Sequence, residues 1–191
     1  PISSPAHQKL LAQLFGVQNR DPVCDLLVHF AILLALCSCC RSMFDLARRE
    51  RRQQVNNRNM GARTGRIILD ARFSKNASIP MLIGILVFSY IFKADTNLLF
   101  TAFFLIINGL ILFISGRMMI GNKDVRSMSY FDSFLIGSFA SLSAFSGISR
   151  IGCVTSASIA RGASQQHALN WALFLSVPAL VLHMGLDMLI I

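Results

Sequence analysis

The sequence predicts an all-α, polytopic membrane helical bundle, and three observations carry that reading. Of its 191 residues, 54% are hydrophobic and only 14% charged, whereas a soluble domain carries about 25% charged residues. The mean hydropathy is +0.58, which excludes a disordered chain. The apolar residues are also grouped into runs long enough for membrane helices, separated by polar, Arg-rich segments. Collagen-like chains and small disulfide-rich secreted proteins are excluded on the same composition.

Taken in order, the first expected span is residues 23–40, apolar apart from Asp25, His29 and Ser38. Residues 41–75 form a basic loop. Residues 78–92 are a second, slightly short span with Pro80 near its start, and 98–114 a third, the two joined by a polar turn at 93–97. Residues 116–126 form a second, smaller basic loop. Residues 131–145 are apolar but rich in Gly and Ser and lead into Ser146-Gly147-Ile148-Ser149-Arg150-Ile151-Gly152, a poor helix sequence. A semi-polar stretch at 153–164 and a long apolar span at 168–191 complete the chain. A helix broken by Gly and Ser at membrane depth is tolerated only where protein or water surrounds it, so 131–164 reads as a re-entrant helical hairpin. Length allows one domain. The expected division of this single membrane domain, 1–191, is a first part over 1–75, two spans and a loop over 78–126, and the hairpin with its following span over 127–191.

Charge sets the orientation. The net charge is +9, and ten of the eighteen basic residues but only three acids (Asp45, Glu50, Asp70) lie between Arg41 and Lys75. One basic loop between apolar spans is the positive-inside pattern, not a nucleic-acid footprint, so no nucleic-acid partner is expected. Loops 41–75 and 116–126 are expected in the cytoplasm, and residues 1–22, the 93–97 turn and the approach to Ser146–Gly152 toward the outside. The chain opens on Pro1 with no charged region ahead of an apolar one, so no signal peptide is read there. That opening and an end inside an apolar run read as a piece of a longer chain. The five cysteines (24, 37, 39, 40 and 153) lack zinc-ligand spacing and are read as small apolar residues.

Two segments carry chemistry. Arg150 is a charge inside an apolar hairpin, a functional-site hypothesis by default. A guanidinium fork among Gly147, Ser149 and Gly152, whose backbone N–H groups can turn to a ligand, suits a phosphate. The second segment is Pro1-Ile2-Ser3-Ser4-Pro5-Ala6-His7, in which His7 can act as base, acid or nucleophile and Ser4 can bind or attack phosphorus. The plainer alternatives are an Arg150 that snorkels to the interface and a helix cap followed by a surface His. Asp25 and His29, four apart, share a helix face and are expected to be hydrogen-bonded against a neighbouring span. His167 and His183 are read as ordinary packing residues, Asp187 as paired inside the bundle, and Arg161 as an interfacial anchor. No Walker, dinucleotide-binding or HExxH motif is present.

Together and in this order, the two segments resemble the undecaprenyl-pyrophosphate phosphatase (bacitracin-resistance) family, with its P-[VI]-S-S-x-x-H segment and its PGxSRSG loop. Asp25-Leu26-Leu27-Val28-His29, Ile79-Pro80 with Gly84, and Phe174-Leu175-Ser176-Val177-Pro178 extend the resemblance over the whole chain. The resemblance implies two inverted repeats, each with a re-entrant hairpin, in a multi-pass protein of the bacterial inner membrane. It implies hydrolysis of the terminal phosphate of undecaprenyl diphosphate at the outer face, which regenerates the carrier for peptidoglycan synthesis. By the same resemblance, Arg150 holds the diphosphate, Ser3, Gly147, Ser149 and Gly152 cradle it, and Ser4 and His7 supply the nucleophile or acid–base group. A divalent cation (Mg or Ca) is implied, with carboxylate ligands ahead of Pro1 and none in this chain. A polyprenyl diphosphate lipid and the bilayer are the expected partners, with a homo-oligomer open. The chain departs from the family pattern at Ser146 (Pro), Ile151 (Ser), Val154 (Thr), Ala140 (Gln) and Gln165 (a basic residue). The alternatives are a non-catalytic relative that binds or moves polyprenyl phosphates, and a small transporter.

Overall fold

A computed structural model describes residues 3–17, 22–39, 71–91, 97–119, 121–123 and 127–190, with Arg41, Asp45, Arg48, Arg49 and Arg52 between them. Most of the basic loop, the 93–96 turn and part of the 116–126 loop lie outside the described residues. Among the described residues there are seven α-helices and no strand: α1 (Ser4–Leu14), α2 (Pro22–Cys39), α3 (Ala71–Ile91), α4 (Leu98–Arg117), α5 (Tyr130–Ser141), α6 (Arg150–Ala160) and α7 (Gln165–Ile190). Three are long and apolar enough to cross a bilayer, over Phe73–Ile91, Leu98–Arg117 and Gln165–Leu189, and Val23–Ser38 of α2 is a shorter apolar stretch. The protein is an all-α, multi-pass membrane bundle.

Local chemistry explains the helix limits. Asn97 caps α4, its side chain accepting from the Leu99 N–H at 3.2 Å. Ser129 and Asp132 form a reciprocal capping box at the start of α5. Ser149 caps α6, its Oγ accepting the Gly152 N–H at 3.2 Å. This cap corrects the expectation of a loop through residue 152: once Ser149 satisfies that N–H, Arg150, Ile151 and Gly152 form the first turn of a helix. The second span likewise begins earlier than expected, at Ala71, so that Lys75 sits inside α3 rather than in the basic loop.

Helices α5 and α6 have 12 and 11 residues, about 18 and 16 Å at 1.5 Å per residue. Neither reaches across a hydrocarbon core of about 30 Å. They pack on one another and are joined through a short 3-10 turn, Leu142–Ala144, making a hairpin that turns back within the bundle. Helix α3 packs along α5, and α7 packs on α6, α2 and α3, while α4 lies on α6 and touches α1.

The core lies between α3, α5, α6 and α7: Phe73 stacks on Trp171 at 4.4 Å between ring centres, with Met81, Ile85, Ile136, Val154 and Leu175 buried around them. Many of the remaining buried positions are small, including Ala77, Ala140, Ala172 and Ala179. In lipid the driving force for helix association is close packing rather than hydrophobicity, and small residues permit it. Gly137 is the clearest case: a Cβ there would fall onto the Ala77 carbonyl and Pro80. The outward faces of α2, α3 and α4 carry Leu, Ile and Phe, as a lipid-facing surface requires.

Candidate functional site

At one end of the bundle the helix termini enclose a cavity of about 920 Å³. Its wall draws on the start of α1 and α2, the end of α3, the start of α4, the hairpin turn, the start of α6 and the end of α7. The connections carrying the basic residues leave from the opposite helix ends. Arg150 is on this wall at the first position of α6. Its Nε donates to Ser143 Oγ at 3.3 Å, and among the described residues it forms no ion pair. The lining also has an apolar part, with Ile32 and Leu36 of α2 and Leu86 of α3. A cationic head beside an apolar trough matches an amphiphile with an anionic head.

The two sequence segments do meet. The Gly147 N–H donates to Ser3 Oγ at 3.1 Å across 144 residues, so the starts of α1 and α6 adjoin. Ser3 stands at the N-cap of α1 but makes no side-chain cap bond, because its hydroxyl is given to the hairpin turn. Gly147 has φ of 121°, in the left-handed region that glycine alone enters readily, and a Cβ there would meet Phe104 and the Thr101 carbonyl at 2.8 Å. The Ser149 N–H is held at 2.9 Å by Asn108 Oδ1 of α4. The backbone donors of Gly147 and Gly152, expected to face a phosphate, are thus both spent within the protein: they build the turn that aims Arg150.

Ser3, Ser4 and Ser149 line the cavity together with Arg150. His7 does not. It is exposed, and its Nδ1 donates to the Ser3 carbonyl at 2.9 Å, which leaves Nε2 as the basic nitrogen. His29 also lines the cavity, and its partner is on another helix: Nδ1 donates to Asp187 Oδ2 of α7 at 2.7 Å. The His29 ring stacks on His183 at 5.6 Å. The expected pairing of His29 with a group on its own face is therefore corrected to a bond between α2 and α7. The carboxylates that the resemblance implies for a divalent cation lie ahead of Pro1. Of the cavity's carboxylates, Asp187 is committed to His29, and no group of three potential ligands is found among the described residues.

Sequence reasoning missed Asn108, Ser143, Ser146 and His183. Asn108 had a signal, as an amide in the middle of a 20-residue apolar helix. His183 carried the signal of an ionisable residue inside a long apolar span, but one His there says nothing about which face meets a partner. At the other end of the bundle, Arg161 pairs with the buried Asp132. Burial raises the Asp132 carboxyl, but the Ser129 N–H and Arg161 together outweigh it and hold it below the usual carboxylate range.

Fold and site define a multi-pass membrane protein with an Arg-bearing cavity at a helical hairpin. A family model described as bacitracin resistance protein BacA matches residues 1–191, and the chain belongs to that family. It is similar to the undecaprenyl-diphosphatase of Thermosipho melanesiensis, with 30% identity over 183 residues covering 95% of this chain and 68% of the relative. It is similar also to the undecaprenyl-diphosphatase of Prochlorococcus marinus, with 25% identity over 186 residues covering 94% and 67%. The chain thus spans about two thirds of the length of these relatives.

Proposed function

We propose that the protein hydrolyses the terminal phosphate of undecaprenyl diphosphate at the outer face of the bacterial inner membrane, leaving the lipid monophosphate and inorganic phosphate. The observation that carries this is the Arg150 side chain. It stands at a helix N-terminus, bound only through Nε to a Ser hydroxyl, on the wall of a cavity that combines polar and apolar linings. A guanidinium with its terminal nitrogens available forms paired, charge-assisted bonds to phosphate oxygens. In phosphoryl transfer, positioning and charge neutralisation do most of the catalysis. The Ser4 hydroxyl on the same wall serves to position or attack the terminal phosphorus. Ser149 and Asn108 hold the turn that presents Arg150, and Ser3 fixes that turn to α1. The apolar wall takes the polyprenyl chain. The positive-inside rule supports the outward facing of the cavity, because it lies at the bundle end away from the basic connections.

The relatives' names support this substrate. A non-catalytic role in binding the same lipids is the second reading, favoured by the chain's departures from the family loop at Ser146, Ile151 and Val154. Inorganic phosphate release from undecaprenyl diphosphate, by the full-length protein in detergent with Mg or Ca present, separates the two. The expected result is release by the wild type and a loss of about 100-fold or more in Arg150→Ala, the scale for removing a main transition-state donor. Lipid binding without release by folded wild type overturns the hydrolase in favour of the second reading.

A further inference from the structure

The wall that carries Arg150 also holds two polar atoms sealed from solvent and without a hydrogen-bond partner: Ser146 Oγ in the hairpin turn and His183 Nε2 on α7. Buried polar atoms are nearly always paired in folded proteins, and an orphan calls for a specific explanation. Two other orphans, Ser156 Oγ and Trp171 Nε1, do not line the cavity. Those that do share the cavity lining with Arg150, the cation at the end of the hairpin turn. His183 is also held in place: its ring stacks on His29, which Asp187 fixes through Nδ1. A half-turn of the imidazole about its Cβ–Cγ bond exchanges each ring nitrogen with a ring carbon without moving the backbone, which re-aims Nε2.

We propose that His183 and Ser146 complete the anion site of Arg150, and that His183 takes up a proton when a phosphate binds. An anion between Arg150 and His183 accepts a hydrogen bond from either form of the imidazole but attracts the protonated form. The other charged or titratable groups lining the cavity among the described residues are Arg150 of α6, His29 and Asp25 of α2, Tyr90 of α3, Lys9 of α1, and Asp187 of His183's own helix. A phosphate seated there brings negative charge to the imidazole. Proton uptake therefore follows occupancy. Ser146, a departure from the family pattern that removes a Pro, adds a hydroxyl donor on the same wall.

The inference rests on the phosphate-binding part of the proposed function and not on hydrolysis. Its test is calorimetric titration of the full-length protein, in detergent at pH 7, with farnesyl monophosphate in two buffers of different ionisation heat. The difference between buffers counts protons taken up. The wild type is expected to take up protons, and His183→Gln to lose most of that uptake and bind about tenfold more weakly, the scale of one charge-assisted hydrogen bond. Ser146→Ala is expected to weaken binding several-fold with the proton count unchanged. Equal proton counts in wild type and His183→Gln, or a wild type that takes up none, overturn the proposal even if phosphate is released. Proton-linked binding lost in His183→Gln, in a protein that releases no phosphate, sustains it and overturns only the hydrolase reading. A wild type that binds no farnesyl monophosphate overturns the anion site and this inference together.

Discussion

Ser3 shows how one hydroxyl links distant parts of the chain. At a helix N-cap the usual use of Ser is to bond its own helix, yet here Oγ accepts from Gly147, 144 residues away. Ser3→Ala removes the acceptor and leaves a buried N–H without a partner, at a cost of about 1–3 kcal/mol. The expected readout is a lower thermal midpoint in detergent. An unchanged midpoint would detach the N-terminal segment from the hairpin turn. Arg150 was legible in the sequence because a charge in an apolar hairpin stands out. The roles of Gly147 and Gly152 were not, because composition cannot say whether a glycine N–H faces a ligand or a neighbouring side chain. Here both face side chains, Ser3 and Ser149.

The hairpin of α5 and α6 is pinned at its base by Asp132, which closes the capping box at the start of α5 and pairs with Arg161 at the end of α6. The adjoining Lys123 N–H donates to the Gly162 carbonyl at 3.0 Å, so the loop before the hairpin and the turn after it are held together. Because the folded Asp132 carboxyl titrates below its ordinary value, its contribution is fully present above the unfolded pKa of about 3.9. It is lost as pH falls through the lower folded value. Thermal midpoints measured from pH 6 down to pH 3 are expected to fall for the wild type. Asp132→Asn is expected to be less stable at pH 6 and flatter with pH over the acidic part of the range. Parallel curves for the two proteins would remove Asp132 from the account of the hairpin. The existence of this hairpin followed from its Gly and Ser content. Its exact limits did not, since the Ser149 cap that starts α6 at Arg150 depends on a turn held from outside by Asn108 and Ser3.

At the scale of the whole molecule, the cavity lies at the bundle end away from the helix termini that lead into the basic connections, and the topology is open to a direct check. Cys24 is exposed near the start of α2, one residue before the cavity-lining Asp25. In a variant retaining only that cysteine, a membrane-impermeant maleimide added outside intact spheroplasts is expected to label it. Labelling only after the membrane is opened would invert the orientation. Hydropathy and charge, read along the chain, determined that this is a multi-pass helical membrane protein, and that Arg150 and the Ser3–Ser4 segment are its polar features. Those properties are local, because a bilayer tests each segment for length and apolarity on its own. Tertiary structure alone decided that Ser3 holds the Arg150 turn, that His29 bonds Asp187, and that His183 and Ser146 stand orphaned beside Arg150. Those outcomes depend on the helix rotation that close packing of small residues selects, and no residue carries that rotation in its own sequence neighbourhood.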